Sequence, residues 1–161
     1  MEDHGINVSR ADTAVATPNA ATCGIPFVIG TAPLSKATGT AATAGTPVLC
    51  TSYTEAEEQL GYDNDWAKFT VCEVMYYHFK LCACQPVIFL PLAENAEAEA
   101  AAAAVEQVEA CLTMFGIVPD LIMAPGFSKE ATVAAALAAK AGSIHGMFSG
   151  KALVDISAKT Y

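Results

Sequence analysis

Short apolar runs alternate with helix-like stretches along most of the chain. Three of the runs are rich in β-branched and aromatic residues and are bounded by glycine, proline or polar residues, which predicts buried strands. They read GIPFVIGTA (24–32), PVIFLPL (86–92) and DLIMAP (120–125). Two shorter runs, PVLCTS (47–52) and KALVDIS (151–157), predict two more strands.

Helical periodicity fills the intervals between the predicted strands. Helices are predicted over 53–60, 66–83, 93–115 and 129–142. The second half of the third helix carries an apolar stripe that should pack inward, consisting of Val105, Val108, Leu112 and Phe115. Its first half holds only alanine and glutamate, so it is either exposed or closely packed through small residues. Two overlapping capping-box patterns, one beginning at Ser52 and one at Thr54, mark the start of the first helix, and Gly61 follows that helix as a stop. Ser128 is predicted to be the N-cap of the last helix.

The order of these elements predicts the fold class. Strands that alternate with helices indicate an α/β fold: a single compact domain with a largely parallel sheet flanked by helices. We expect this core domain at 23–161. Before it, residues 1–22 predict an extended N-terminal arm and linker, because HGINVS at 4–9 alternates weakly and 10–22 are small and polar.

Composition narrows the classes of function. The net charge is −9, and the eight basic residues are scattered singly, which argues against a nucleic-acid partner. No apolar run approaches the roughly 20 residues of a membrane span. The first residues lack the basic and apolar regions of a signal peptide, so none is expected. The 53% apolar content, much of it alanine, indicates packed helices or a buried subunit interface.

The six cysteines and the histidines do not form a recognisable metal-binding pattern. Most of the cysteines fall in apolar periodic segments, so we expect reduced, buried thiols in a cytosolic protein. Cys82 and Cys84 form a C-x-C pair, but no second pair of ligands has the spacing of a zinc site. His78 is expected to be a satisfied core histidine. No metal or cofactor site is predicted.

The corner after the strand at 120–125 is the best candidate for chemistry. Ligands in α/β sheets gather outside the carboxyl ends of strands, which here lie near 30–33, 91–94, 124–128 and 155–157. The corner resembles a G-x-S-x-G nucleophile elbow, but Glu130 stands where the second glycine is required. No base has a recognisable context, although His145 is available. No catalytic residue is therefore predicted, and the alternative is a small cytosolic hydrolase-like or nucleotide-binding α/β domain that uses the corner at 124–128.

An ordered series of motifs gives the chain a family resemblance. The motifs are HGINVSR, GIPFVIGTAPL, TPVLCTSYTEAEEQLGYDNDWAKFTVCEVMYYHF, QPVIFLPL, FGIVPDLIMAPGFSKEATVAAALAAKA and KALVDIS with a closing KTY. In this order they resemble the tail sheath proteins of contractile phage tails and related prophage particles. The resemblance runs almost from end to end of the chain, and the joint presence of GTAP, the capped SYTEA helix and the APG corner makes it specific.

The resemblance implies a structural role and no enzyme activity. Sheath subunits polymerise as a helical tube around an inner tail tube, and the sheath contracts to drive that tube through the host envelope. The implied partners are neighbouring sheath subunits and the inner tail tube protein, without nucleic acid or direct membrane insertion. The implied location is the virion tail, assembled in the host bacterial cytoplasm.

The family's terminal extensions link neighbouring subunits by adding strands to their sheets. In this chain the resemblance assigns that role to an assembly arm consisting of His4, Gly5, Ile6, Asn7, Val8 and Ser9.

The chain departs from the family pattern in two places. Sheath proteins usually carry an inserted β-rich domain where this chain has only AENAEAEAAAA, so this is either a minimal sheath protein or one from which the insertion was excised. They also continue past KALVDIS into a C-terminal domain, whereas this chain stops at Tyr161. We therefore expect a fragment that does not polymerise normally.

Overall fold

Five strands form one sheet in the computed structural model, which describes residues 24–84 and 86–156. The strands are β1 (Pro26–Thr31), β2 (Val48–Cys50), β3 (Val87–Leu92), β4 (Leu121–Met123) and β5 (Lys151–Leu153). Their order across the sheet is β2-β3-β1-β4-β5, and every neighbouring pair is parallel except β2 with β3. The predicted α/β domain with a largely parallel sheet is confirmed. The predicted assembly arm at 4–9 lies outside the described residues.

Helices cover both faces of this sheet. They are α1 (Tyr53–Leu60), α2 (Thr70–Met75) with a π-helical turn (Tyr76–Leu81), α3 (Ala98–Ala104), a 3₁₀ segment (Val105–Glu109), α4 (Ala110–Phe115) and α5 (Ala131–Gly142), with a separate 3₁₀ turn at Leu34–Lys36. Side chains alternate between the faces along each strand. In β1, Phe27 and Ile29 face α3 and α5, while Val28 faces α1 and α2. β1 and β3 are buried at every position, as strands covered on both faces must be.

The first helix begins and ends as predicted. Ser52 is the N-cap, and its side-chain oxygen accepts a hydrogen bond from the Glu55 backbone N–H at 3.2 Å. The Glu55 carboxylate turns back to the Thr51 N–H at 2.8 Å, one residue before the position that a capping box uses. Gly61 ends the helix with a φ of 74°.

The second helix starts later than the sequence predicted. It begins at Thr70 and not at residue 66, because a turn stabilised by Asp65 precedes it. The Asp65 side chain accepts from the Lys68 N–H at 3.3 Å, and its backbone carbonyl accepts from the Phe69 N–H at 2.8 Å. The prediction of a helix over 66–83 is therefore wrong at its first turn, where local side-chain bonding replaces helical bonding.

The helical stretch 98–115 packs through small residues in its first half. Ala101 is fully buried, which decides between the exposed and the closely packed alternatives that its composition left open. The second half differs from the predicted stripe: Cys111 is buried, and Leu112 is 37% exposed. The five-residue 3₁₀ segment explains this difference. A 3₁₀ helix turns roughly 20° more per residue than an α-helix, so after five residues the following helix is rotated about its axis by roughly 100° more than a continuous α-helix would be. One residue earlier then faces the core.

Candidate functional site

The carboxyl ends of three strands meet at a crevice of about 540 Å³. Thr31 is the last residue of β1, Glu94 lies two residues after the end of β3, and Phe127 belongs to the corner after β4. The connection after β1 leads to β2 on one side of the sheet, whereas the connection after β4 leads to β5 on the other side, so the crevice lies where the strand order reverses. The fourth predicted end places Asp155 in a neighbouring groove of about 350 Å³.

Thr31 joins β1 to the start of α2 at the floor of this crevice. Its hydroxyl donates to the Lys68 carbonyl at 2.5 Å and accepts from the Thr70 N–H at 3.3 Å. Thr70 packs so closely on β1 that a Cβ at Gly30 would overlap its hydroxyl oxygen. That buried oxygen has no hydrogen-bond partner among the described residues. Glycine at position 30 thus permits the helix to approach the strand.

The charges that line the crevice cancel in pairs. The Lys68 ammonium group lies 3.0 Å from the Glu94 carboxylate, and its hydrogen bond holds the pKa of Glu94 below the usual value. Lys129 and Glu73 contribute one further charge of each sign. A phosphate site needs an excess of positive charge or a row of free backbone N–H groups. The balanced charges therefore give the nucleotide-binding alternative no support.

The corner at 124–128 holds the chain segment that follows β5. Ser128 is 2% exposed, and its hydroxyl oxygen accepts a hydrogen bond from the Asp155 N–H at 2.9 Å. The Gly126 N–H in turn donates to the Asp155 carboxylate at 2.7 Å. These two hydrogen bonds connect Gly126 and Ser128 to Asp155. We call this arrangement the Asp155 clamp.

The prediction that Ser128 caps the last helix is wrong. Helix α5 begins at Ala131 with Glu130 as its N-cap, and no side chain caps it. Ser128 lies in a turn in which its own N–H donates to the Ala124 carbonyl at 2.9 Å, so its side chain is free to bind the distant Asp155. Local sequence could not reveal this partner, although an acidic residue at the carboxyl end of a predicted strand was a sign of a polar role.

Ser128→Ala should lower the free energy of unfolding by about 1–2 kcal/mol, because it leaves the Asp155 N–H without its acceptor. Ser143→Ala is the matched control, since Ser143 is exposed and ends α5 without a side-chain bond. Urea denaturation monitored by circular dichroism compares the two variants. Equal stabilities would show that the hydrogen bond from the Asp155 N–H to Ser128 contributes nothing.

The outer edge of β5 is open within the described part of the chain. β5 pairs with β4 on one side, and the strand order places it at the end of the sheet. Five apolar side chains lie exposed in or near this strand, and we call them the β5 apolar strip. They are Met147 (78% exposed), Phe148 (42%), Leu153 (52%), Val154 (41%) and Ile156 (66%). Clustered exposed apolar residues at an unpaired edge are typical of a surface that another chain covers.

The five cysteines within residues 24–84 and 86–156 divide into two groups, which corrects the expectation of buried thiols for two of them. Cys50, Cys72 and Cys111 are buried, whereas Cys82 and Cys84 are exposed. Burial raises the pKa of Cys50 and Cys111 to about 12 and that of Cys72 to about 11, so these three stay protonated at neutral pH. Three of the expected thiols are therefore inert, and two face solvent.

His78 is not the satisfied core histidine that was expected. Its Nε2 atom is buried without a hydrogen-bond partner among residues 24–84 and 86–156. Burial lowers its pKa, which favours the neutral imidazole. The described residues hold no group of three or more His, Cys, Asp or Glu side chains arranged to bind a metal ion. Within the same ranges, no helix has both the length and the apolar character needed to cross a membrane.

Comparison with known proteins does not place the chain in a family. No protein-family model matches the chain, and no curated protein matches it either.

Proposed function

We propose that the chain is the core of a contractile tail sheath subunit, as its resemblance to phage and prophage sheath proteins implies. The observation that carries the proposal is the open β5 edge with the β5 apolar strip beside it. Unpaired backbone groups on an edge strand bond readily to another chain, and exposed apolar side chains gain free energy when a neighbour covers them. An assembly subunit needs both properties.

In this proposal the subunits associate through unlike surfaces. A contact between two different patches repeats from subunit to subunit, so it builds a filament when the rotation does not close a ring. The contraction of the sheath requires two packings of the same subunits that are separated by a barrier. A rigid α/β core suits this role, because it can move as one body while its contacts change.

We further propose that the assembly arm at residues 4–9 adds a strand to the β5 edge of a neighbouring subunit. Ile6 and Val8 lie two positions apart, so they would point to the same face of an added strand. Residues 10–22 between the arm and the core number 13, and a chain of that length spans at most roughly 45 Å. That reach is sufficient for contact with an adjacent subunit.

Deletion of residues 1–10 should leave the core folded and weaken its self-association, because the proposed arm is lost and no core element is touched. Sedimentation velocity over a range of concentrations measures the association, and circular dichroism checks the fold. Leu153→Asp should weaken association in the same way by placing a charge on the β5 edge. Leu81→Asp is the matched control, since Leu81 is 64% exposed but lies outside β5. Unchanged association in the deletion variant would exclude the arm.

Electron microscopy tests the proposed function itself. Cells that express the whole reading frame containing these residues should yield tubes or sheath-like polymers. The hydrolase-like or nucleotide-binding domain is the alternative, and it makes a different prediction. A hydrolase activity that disappears in Ser128→Ala, together with the absence of polymers, would favour that alternative and overturn the sheath proposal.

A further inference from the structure

Two thiols face solvent at the end of the π-helical turn. Cys82 and Cys84 are both exposed, in contrast to the three buried cysteines of the described chain. Exposure matters because the thiolate is the reactive form, and an apolar environment disfavours it. Cys82 also lines the 350 Å³ groove together with Tyr77 and His78. A small molecule in solution therefore has access to this pair and not to the buried thiols.

The backbone between the two cysteines brings them close together. Ala83 has a φ of 51°, which for a residue with a side chain places it in the left-handed region. In an α-helix the Cα atoms of residues i and i+2 lie roughly 5.4 Å apart, and the left-handed mirror image of that conformation has the same spacing. Disulfides join cysteines whose Cα atoms lie roughly 4.4–6.8 Å apart. The spacing of Cys82 and Cys84 is therefore compatible with a bond between them.

Hydrogen bonds hold this conformation on both sides of Ala83. The Cys82 N–H donates to the Tyr77 carbonyl at 2.9 Å, and the Cys84 N–H donates to the His78 carbonyl at 2.9 Å. The Cys84 thiol donates a hydrogen bond to the backbone carbonyl oxygen of Cys82 at 3.5 Å, so the Cys84 side chain points back toward Cys82. A left-handed alanine is unfavourable by itself, and the surrounding bonds maintain it.

We propose that Cys82 and Cys84 form a redox-active dithiol that small-molecule disulfides oxidise to an intramolecular disulfide. One cysteine thiolate attacks a sulfur of the small disulfide, whose S–S bond breaks and releases one small thiol. The second cysteine thiolate then attacks the resulting mixed disulfide and releases the other small thiol. The two cysteines lose two electrons and two protons, and the small disulfide gains them. This site is independent of the proposed sheath function.

Oxidised glutathione is the probe. It is applied to the folded 161-residue chain with the substitution Cys23→Ser, which removes a sixth thiol that lies outside the described residues and could also react. Mass spectrometry after acid quenching should show the loss of two hydrogen atoms, mapped to Cys82 and Cys84. In Cys84→Ser the reaction should stop at a glutathione adduct on Cys82. That adduct should persist at least roughly tenfold longer than any adduct on the parent, because no neighbouring thiol removes it.

Two variants of Ala83 test the role of the backbone. Proline cannot adopt a positive φ, so Ala83→Pro should preserve the adduct, whereas Ala83→Gly should close the ring as the parent does. Circular dichroism checks that both variants fold. Stable adducts on both cysteines of the parent, disulfide-linked dimers in place of the internal bond, or equal reaction at Cys111 in the folded protein would each overturn the proposal.

Discussion

Phe89→Ala is expected to lower the free energy of unfolding by about 3–5 kcal/mol. Phe89 is fully buried in the middle of β3, on the face that α1 and α2 cover. Its ring centre lies 6.3 Å from that of Phe79 on the π-helical turn. The substitution leaves a cavity between a strand and a helix that backbone hydrogen bonds hold in place, so the surroundings cannot collapse to fill it.

Phe148→Ala is the matched control for this prediction. It removes the same side chain from a position that is 42% exposed, so it should change the free energy of unfolding by less than about 1 kcal/mol. Guanidinium denaturation compares the two variants. When the free energy of unfolding has the same dependence on denaturant concentration in both, the difference between their midpoints reports the difference in stability. A small domain has a total stability of about 5–15 kcal/mol, so Phe89→Ala removes a substantial fraction of it. Similar midpoints for both variants would contradict the described packing of the two faces.

The strands β1 and β3 were predictable because burial on both faces leaves a simple pattern. A run such as 86–92 must be apolar throughout when helices cover both sides of the sheet, and no other element explains so short a run. The order of strands across the sheet was not predictable in the same way. Pairing depends on contacts between segments far apart in sequence, and local periodicity carries no information about which strands are neighbours.

The starts of α2 and α5 show where local patterns fail. Ser128 has the residue type of an N-cap at a plausible distance from a helix, yet its side chain binds Asp155, 27 positions away. Asp65 likewise forms a turn of its own before the helix begins. Short polar side chains bond equally well to several backbone groups, so tertiary contacts decide among alternatives that are locally similar in energy.

The exposed surface could be predicted only in part. Composition indicated a buried subunit interface, but it could not locate the β5 apolar strip, because an apolar residue in a short predicted strand is normally assigned to the core. Leu153 and Ile156 are exposed because β5 is the last strand of the sheet within the described residues. Cys82 and Cys84 were included among the expected buried thiols because most of the cysteines fall in apolar periodic segments, although the helical stretch before them ends at Leu81.

Gly61→Ala should lower the free energy of unfolding by about 2–4 kcal/mol, and two separate effects contribute. Gly61 has a φ of 74° and a ψ of 173°, a region that is essentially restricted to glycine and that costs other residues about 1–3 kcal/mol. A Cβ there would also overlap the Pro33 carbonyl oxygen and approach the Lys36 carbonyl carbon to 2.9 Å. These neighbours are backbone atoms, so the collision moves the whole 3₁₀ turn and cannot be relieved by a rotamer change.

Gly146→Ala is the control, because it places a side chain at a positive φ without a collision. Gly146 has a similar φ of 69°, but a Cβ there would meet nothing within 4 Å. Only the conformational cost of about 1–2 kcal/mol should therefore appear in its urea denaturation curve. Gly61→Ala should lose more stability than Gly146→Ala, because its Cβ collides with the turn at Leu34–Lys36 and because Gly61 also has an extended ψ of 173°. If both variants lose the same stability, the turn yields freely and Gly61 is required for its conformation alone.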